Sequence, residues 1–464
     1  MNRSKLIALS LALGCSLTVA AQTPTAGNTP APIPAPTPST EAIHTLPPSE
    51  PLVVGGPDAV RLSVADAERL ALKNNPRIAV ARLLALAQHQ VTRETRAAEL
   101  PSVTGNLTAV DSHTGSRVTA GALNNPVIYS RAAGGVTVSQ LITDFGRTRN
   151  LVGSAKLQER AQASASEATT AEITLAVDEA YYRALGAQNV VDVANETVKE
   201  RQTTVDQISA LTNAKLRSTL DLSFSNVALA QAKLMVLNAT NDLQDAISAL
   251  NALLGEEGPP KFVLVEDTPA SPPLPPQDPD ALVEVAFNNR PDLRSLNQQA
   301  QAAKKFSAAE HDLNRPTISA LGDAGGAPIR SDHITSSWDA AAGVNVNIPI
   351  FEGFLFSARG KEASLRAHAA QQQVKELRDI IARDVRTTAL QAESNYERIA
   401  VAQQLLDEAN SALDLAQTRY SLGLSSIVEL SQAQLAQTQA LIDLSGARYV
   451  YAGSLANIRF QTGQ

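Results

Sequence analysis

With 464 residues the chain has room for two or three ordinary domains, and its net charge of −7 with a pI near 5.5 excludes the basic stripe that phosphate binding needs. No nucleic-acid partner is therefore expected. The single cysteine, Cys15, excludes a disulfide framework.

Arg3 and Lys5 precede an apolar run from Leu6 to Ala20, and the small residues Val19-Ala20-Ala21 stand before Gln22. This is the form of a secretory signal peptide over residues 1–21, with cleavage expected after Ala21. Cys15 sits inside the run in Leu13-Gly14-Cys15, and an N-terminal lipidation site reads similarly, although alanine rather than leucine stands three residues before it. Beyond the signal no apolar run reaches the roughly 18 residues that a spanning helix needs, so a membrane role has to use strands. Residues 22–60 are rich in Pro, Thr and Ala, a composition that stays extended.

Ordered structure is expected from Ser63, where Ser63-Val64-Ala65-Asp66 has the form of a capping box. The helix that follows is interrupted at Asn74-Asn75-Pro76, resumes to about Leu100 and stops at Pro101. The plan recurs later: Asp278-Pro279 opens a helix, Pro291 matches Pro76 and Pro316 matches Pro101, with Ala71/Ala286 and Asn74/Asn289 agreeing at the same offset of 215 residues. An internal duplication is the economical explanation. It divides the chain into a first repeat over 61–255, a Pro-rich linker over 256–278 and a second repeat over 279–464.

After each second proline the period changes from helical to alternating. Val103, Gly105, Leu107 and Ala109 alternate with polar residues, as do Val136 and Val138; Val344, Val346, Ile348 and Ile350 alternate with Asn345 and Asn347. Strands are expected at about 101–111, 134–144, 316–326 and 338–350, one hairpin per repeat. Any one of them taken alone reads rather as a half-buried strand of a soluble sheet, but the neighbouring helices offer no apolar face broad enough to cover such a sheet. Four strands do not close a barrel, so strands of several chains have to combine.

Each hairpin runs into a long proline-free block, through Asp144-Phe145-Gly146 and Glu352-Gly353. From Gly146 to about Thr212 one helix would extend roughly 100 Å at 1.5 Å per residue. In the second copy Leu406, Ala409, Leu413, Ala416 and Tyr420 step by three and four, a narrow heptad seam of a coiled helix. The reversals at 215–221 and 423–429 are equivalent at an offset of 208, and both Ser218-x-x-Asp221 and Ser426-x-x-Glu429 have the capping-box form.

In order and spacing, these features resemble the TolC-type outer-membrane factors, the exit ducts of Gram-negative efflux pumps and type I secretion systems. The resemblance covers residues 61–464 and rests on the duplicated Asn-Asn-Pro and Asn-Arg-Pro breaks, on Ile348-Pro349-Ile350-Phe351-Glu352-Gly353, and on the stretch from Arg419 to Leu430. It implies a mainly α fold with a membrane β-barrel portion: a homotrimer whose hairpins close one twelve-stranded barrel in outer-membrane lipid and whose helices form a long periplasmic α-helical barrel. The helix before the first hairpin is expected to stack end to end on the last helix of its half, about 40 residues from Arg61 to Leu100 plus about 36 from Thr219 to Leu254 nearly matching the long helix. The resemblance also places the two reversals at the periplasmic tip, where the duct closes and a periplasmic adaptor docks. Asp221 and Glu429, with Tyr420 and Arg217, are the expected gate residues; Gly423, Leu424, Ser425, Ser426, Lys215 and Ser218 are the expected docking residues. Pro101, Pro316, Gly146 and Gly353 are the joints. The two carboxylates either ring the constriction or start the returning helices, and the two roles coexist. Arg217 is expected to pair with a carboxylate, and Lys215, standing where Gly423 has glycine, departs from the family's usual tip.

No enzyme, metal site or cofactor is expected: the six histidines lack ligand spacing on any one helix, and Asp111-x-His113 and Asp332-His333 read as solvated loop residues in preference to a cation site. A periplasmic adaptor or a fibrous coiled-coil scaffold is the alternative class, and the duplicated hairpins fit neither. The Leu422-Gly423-Leu424-Ser425 tip resembles the branch that serves resistance-nodulation-division inner-membrane pumps, which makes drug or small-molecule efflux the first expectation. Type I protein export is the second, and metal efflux stays open.

Overall fold

The structure, a computed structural model, describes residues 60–111, 113, 131–259, 262–266, 272–276, 278–326 and 337–464. The expected signal peptide with Cys15, the Pro-rich segment to residue 59, the loop holding Asp332 and His333, and part of the linker lie outside them. In chain order the elements are β1 (Val60–Leu62), α1 (Val64–Asn74), α2 (Pro76–Ala97), β2 (Ser102–Val110), β3 (Arg131–Thr143), α3 (Arg147–Asn213) and α4 (Thr219–Leu254). They continue with β4 (Phe262–Leu264), α5 (Pro279–Asn289), α6 (Pro291–His311), β5 (Thr317–Gly326), β6 (Trp338–Asn347), α7 (Leu355–Ser421) and α8 (Ile427–Thr462).

Local chemistry sets the boundaries. Ser63 Oγ accepts from the Asp66 amide at 3.2 Å and donates to its carboxylate at 2.7 Å, which starts α1. Asn75 and Arg290 both adopt extended backbone, ψ 122° and 121°, as residues before proline must, so α1 and α5 stop there. Each break receives the end of a distant helix. Asn75 Nδ2 donates to the Leu253 carbonyl at 2.8 Å, and Arg290 Nη1 reaches the Gln461 side chain at 2.5 Å, so α4 abuts the α1–α2 break and α8 the α5–α6 break. Gly255 and Gly463, at φ 73° and 70°, end these helices in left-handed caps that only a residue without Cβ fits at this distance. The stack formed is thus α2 on α4; α1 packs Ala67 and Ala71 sideways into the first core cluster, so the full span from Arg61 to Leu100 is not one arm of it.

Both long helices are unbroken over 67 residues. Near the sheet the order of neighbours is α2, α3, α6, α7; toward the reversals it is α4, α3, α8, α7. The seams are thin. Leu406, Ala409, Leu413, Ala416 and Tyr420 are all buried, and on the α2–α3–α6 side hydroxyls replace apolar bulk: Thr92 Oγ1 donates to the Ala155 carbonyl (3.2 Å), Ser154 Oγ to Ala302 (2.8 Å) and Ser295 Oγ to Ala161 (2.7 Å).

The hairpins join into one antiparallel sheet in the order β2-β3-β5-β6. Its register aligns Val103 with Val138 and Gly322, and Gly105 with Val136, Ala324 and Ala340, so Val103, Leu107, Val136, Val138, Val344 and Val346 share one face, while Leu321 lies on the other. The other face carries Thr104, Thr137 and Asp323 in one row and Asn106 and Asp339 in the next. Among the described residues the outer edges of β2 and β6 have no ladder partner. β6 ends at Asn347, three residues short of the alternation, because Thr317 is its last partner and Pro349 has no amide to donate.

One element is absent from the sequence reading. β1 and β4 pair in parallel, Leu62 opposite Leu264, and give the first repeat and the linker a shared two-stranded sheet. The Tyr181 hydroxyl lies between the carbonyls of Leu62 (2.8 Å) and Val265 (2.6 Å), while Tyr451 donates to the Pro273 carbonyl at 2.5 Å and Tyr449 to Glu266 at 3.1 Å. Three helix tyrosines hold the linker down.

Candidate functional site

The two helix reversals have the same backbone. After α3, Lys215 N donates to Thr212 O (2.9 Å) and Leu216 N to Leu211 O (2.8 Å); after α7, Gly423 N donates to Tyr420 O (3.0 Å) and Leu424 N to Arg419 O (2.8 Å). This is the 6→1, 5→2 pattern of a Schellman cap, with Lys215 at φ 62° where Gly423 has 73°. The Lys215 substitution changes the strain of the first turn and leaves its shape intact.

The returning helices start differently. Ser426 Oγ accepts from the Glu429 amide at 3.4 Å, the capping-box arm, whereas Ser218 Oγ accepts from Leu220 at 3.1 Å and Asp221 N turns to the Ser218 carbonyl. Ser218 therefore caps the helix without the box expected with Asp221. The Glu429 carboxylate lies 3.3 Å from Arg419 Nε, an ion pair across the second reversal. Among the described residues Arg217 is not paired with the expected carboxylate: its Nη2 donates to the Tyr420 carbonyl at 2.6 Å, and its guanidinium carbon stands 4.4 Å from the Tyr420 ring centre. Tyr420, held by Ile208, Leu413, Ala416, Ile427 and Leu430, is thus tied to the first reversal. Burial pushes its hydroxyl pKa up; Arg217 opposes the shift and the Asp221 charge adds to it.

Around this cluster Leu216, Leu220, Leu422 and Leu424 are exposed, Leu424 at 68 %, an apolar rim on the end of the helices. A Cβ built on Gly423 meets nothing within 4 Å. Arg419 takes part in the geometry without having been singled out by sequence, since its partner lies across the turn; its only signal was its place in the Arg419–Leu430 stretch.

At the opposite end of the long helices, Pro101 and Pro316 precede β2 and β5, and each long helix is entered through two consecutive left-handed residues, Phe145-Gly146 (φ 55° and 111°) and Gly353-Phe354 (φ 60° and 65°). The glycine takes opposite places in the two joints, so a phenylalanine carries the strain in each. The Asp144 carboxylate caps the first, accepting from Gly146 N at 3.2 Å and Thr148 N at 2.6 Å. Phe351 and Phe354 pack edge to face at 5.5 Å, both exposed. Among the described residues no group of three or more His, Cys, Asp or Glu is placed to hold a metal.

A family model described as outer membrane efflux protein matches residues 68–256 and 282–464, on either side of the linker. The chain belongs to the outer membrane efflux protein family. It is 23% identical to the outer membrane protein TolC of Escherichia coli (strain K12) over 359 residues, 73% of this chain and 71% of TolC. It is 24% identical to the alkaline protease secretion protein AprF of Pseudomonas aeruginosa over 429 residues, 88% of this chain and 85% of AprF. Its fold matches a crystal structure of the channel-forming protein CusC with a TM-score of 0.76 at 20% identity, over 88% of this chain and 93% of CusC. As a family member the chain is an outer-membrane efflux channel protein with a helical extension into the periplasm.

Proposed function

We propose that three copies of this chain close head to tail into one duct, a twelve-stranded barrel continued by a helical barrel, which passively conducts small molecules delivered by a periplasmic adaptor and a resistance-nodulation-division inner-membrane pump. The observation that carries this reading is that the described chain is a ribbon four elements wide at every level, with the same two open edges throughout: β2, α2 and α4 on one side, β6 and α7 on the other. A ribbon with two unlike edges associates heterologously, and a heterologous contact that closes makes a ring. The edges are apolar where they are open: Leu83 and Leu86 on α2, Leu220, Val227, Leu234 and Leu237 on α4, and Leu390, Val401 and Leu415 on α7 are exposed. The apolar face of the sheet suits lipid and its polar face suits a lumen.

In this assembly the repeats 61–255 and 279–464 supply equal halves and 256–278 lies at the equator. Asp221 and Glu429, three copies each, ring the constriction and favour cations. Arg217 and Tyr420 hold it shut, and Gly423, Leu424, Ser425 and Ser426, with Lys215 and Ser218, receive the adaptor. Conduction needs no catalysis and no cofactor. AprF is a reason to keep protein export as the second reading. The test is a Ser425→Cys variant cross-linked in intact cells. Recovery from the outer-membrane fraction of a trimer joined to an adaptor supports the duct, and the adaptor's pump identifies the cargo class. A monomer without an adaptor refutes the assembly.

A further inference from the structure

The equator holds a pair of acids that the duct does not require. Asp178 lies on α3 one turn before Tyr181, at the first core cluster, and is 4% exposed. Among the described residues its Oδ1 finds no hydrogen-bond partner, and its carboxyl meets that of Glu68, a half-buried residue of α1. A buried carboxyl in hydrogen-bond contact with a second carboxyl needs a proton between them, because two bare carboxylates repel at that distance and burial penalises the Asp178 charge. The charged groups acting on Asp178 are Glu68 from α1, Arg459 from α8 and Glu179 from α3 itself, while α4 brings apolar Leu250 and Leu254 to the same cluster. Arg459 only partly offsets the rest: burial first, then Glu68, pushes the Asp178 carboxyl up to about 7.

The second repeat lacks the pair. Val283, 5% exposed, stands at the position of Glu68, and Arg386 stands at the position of Asp178, bonded to Asp280 at the surface (2.8 Å). One repeat thus has an apolar contact between its short helix and its long helix, and the other a protonated acid pair. We propose that Glu68 and Asp178 form a proton-dependent latch that fixes α1, and with it the β1–β4 pair, against α3.

The direction follows from linkage. The folded pKa is raised above that of the free carboxyl, so the closed latch binds the extra proton. Its hold is greatest near and below the ordinary carboxylate pKa, weakens as pH rises toward about 7, and is constant above. Acid tightens the equator; neutrality loosens it.

The test is hydrogen exchange of the intact protein in detergent, followed by mass spectrometry and corrected for intrinsic rates. Over residues 64–74 the expected protection falls by up to about tenfold per pH unit from about pH 5 to 7 and levels off above, the slope of one linked proton. Residues 279–289 serve as the internal reference and stay level. Asp178→Asn keeps a hydrogen-bond donor without the titration and flattens the 64–74 profile, whereas Glu68→Gln removes the acid–acid repulsion, leaves the buried Asp178 carboxyl to titrate, and moves the slope to lower pH. A level wild-type profile, an equal slope in 279–289, or a slope that persists unchanged in Asp178→Asn overturns the latch.

Discussion

Gly255 and Gly423 share one backbone conformation, φ 73°, and differ in what surrounds them, so replacing each separates strain from steric overlap. A Cβ on Gly255 would stand 2.6 Å from the Asn74 carbonyl oxygen and 2.8 Å from its carbon, while one on Gly423 meets nothing within 4 Å. Gly423→Ala therefore carries only the left-handed penalty of about 1–2 kcal/mol. Gly255→Ala adds to this the overpacking of backbone against backbone, about 1–3 kcal/mol more, because neither α4 nor the α1–α2 break is a flexible side chain able to move aside. Asparagine tolerates the left-handed region and still has a Cβ, so Gly423→Asn is expected within about 0.5 kcal/mol of wild type while Gly255→Asn keeps the overpacking cost. Hydrogen exchange of residues 250–256 and 418–424 reads the local opening free energy at each site. Equal costs for the two alanine variants, or a wild-type value for Gly255→Asn, would show that the α4 end does not bear on the break as the structure has it.

Lys215→Gly relieves the strain at φ 62° and is expected to stabilise the first reversal by about 1 kcal/mol, read as slower exchange over 211–217; a loss of protection would mean that the lysine side chain holds the turn. Arg217→Ala removes a charged hydrogen bond and a ring contact worth about 1–3 kcal/mol together. Its expected consequence is a larger single-channel conductance in planar bilayers, and an unchanged conductance would take Arg217 out of the gate. Tyr181→Phe deprives the buried Leu62 carbonyl and the half-buried Val265 carbonyl of their shared donor at a cost of about 1–3 kcal/mol, seen as faster exchange at 60–62 and 262–265 with the tip unaffected. Equal exchange in both proteins would show that the β1–β4 pair holds without the tyrosine.

What the sequence by itself determined was whatever follows from neighbours along the chain. Prolines 76, 101, 291 and 316 mark the breaks because proline restricts the residue before it wherever the chain goes, and the reading of one helix from Gly146 to about Thr212 comes within a residue of both ends of α3. The heptad step from Leu406 to Tyr420 named a seam whose members are all buried, and the offset of 208 matched the two reversals in position, while only the structure shows that Lys215 takes the same cap as Gly423. The tertiary structure decided what depends on partners far along the chain. Three-residue β1 and β4 are too short to show a period, and they exist because Tyr181 and the first cluster bring residues 62 and 264 together. By sequence Arg217 was expected to pair with a carboxylate, and only the packing of the first reversal against α7 gave it the Tyr420 carbonyl and ring. The pairing of β3 with β5, which joins two hairpins into one sheet and leaves β2 and β6 open, is likewise a contact between repeats. Alternation says which face a side chain takes; which strand lies alongside is settled where the long helices bring the two hairpins together.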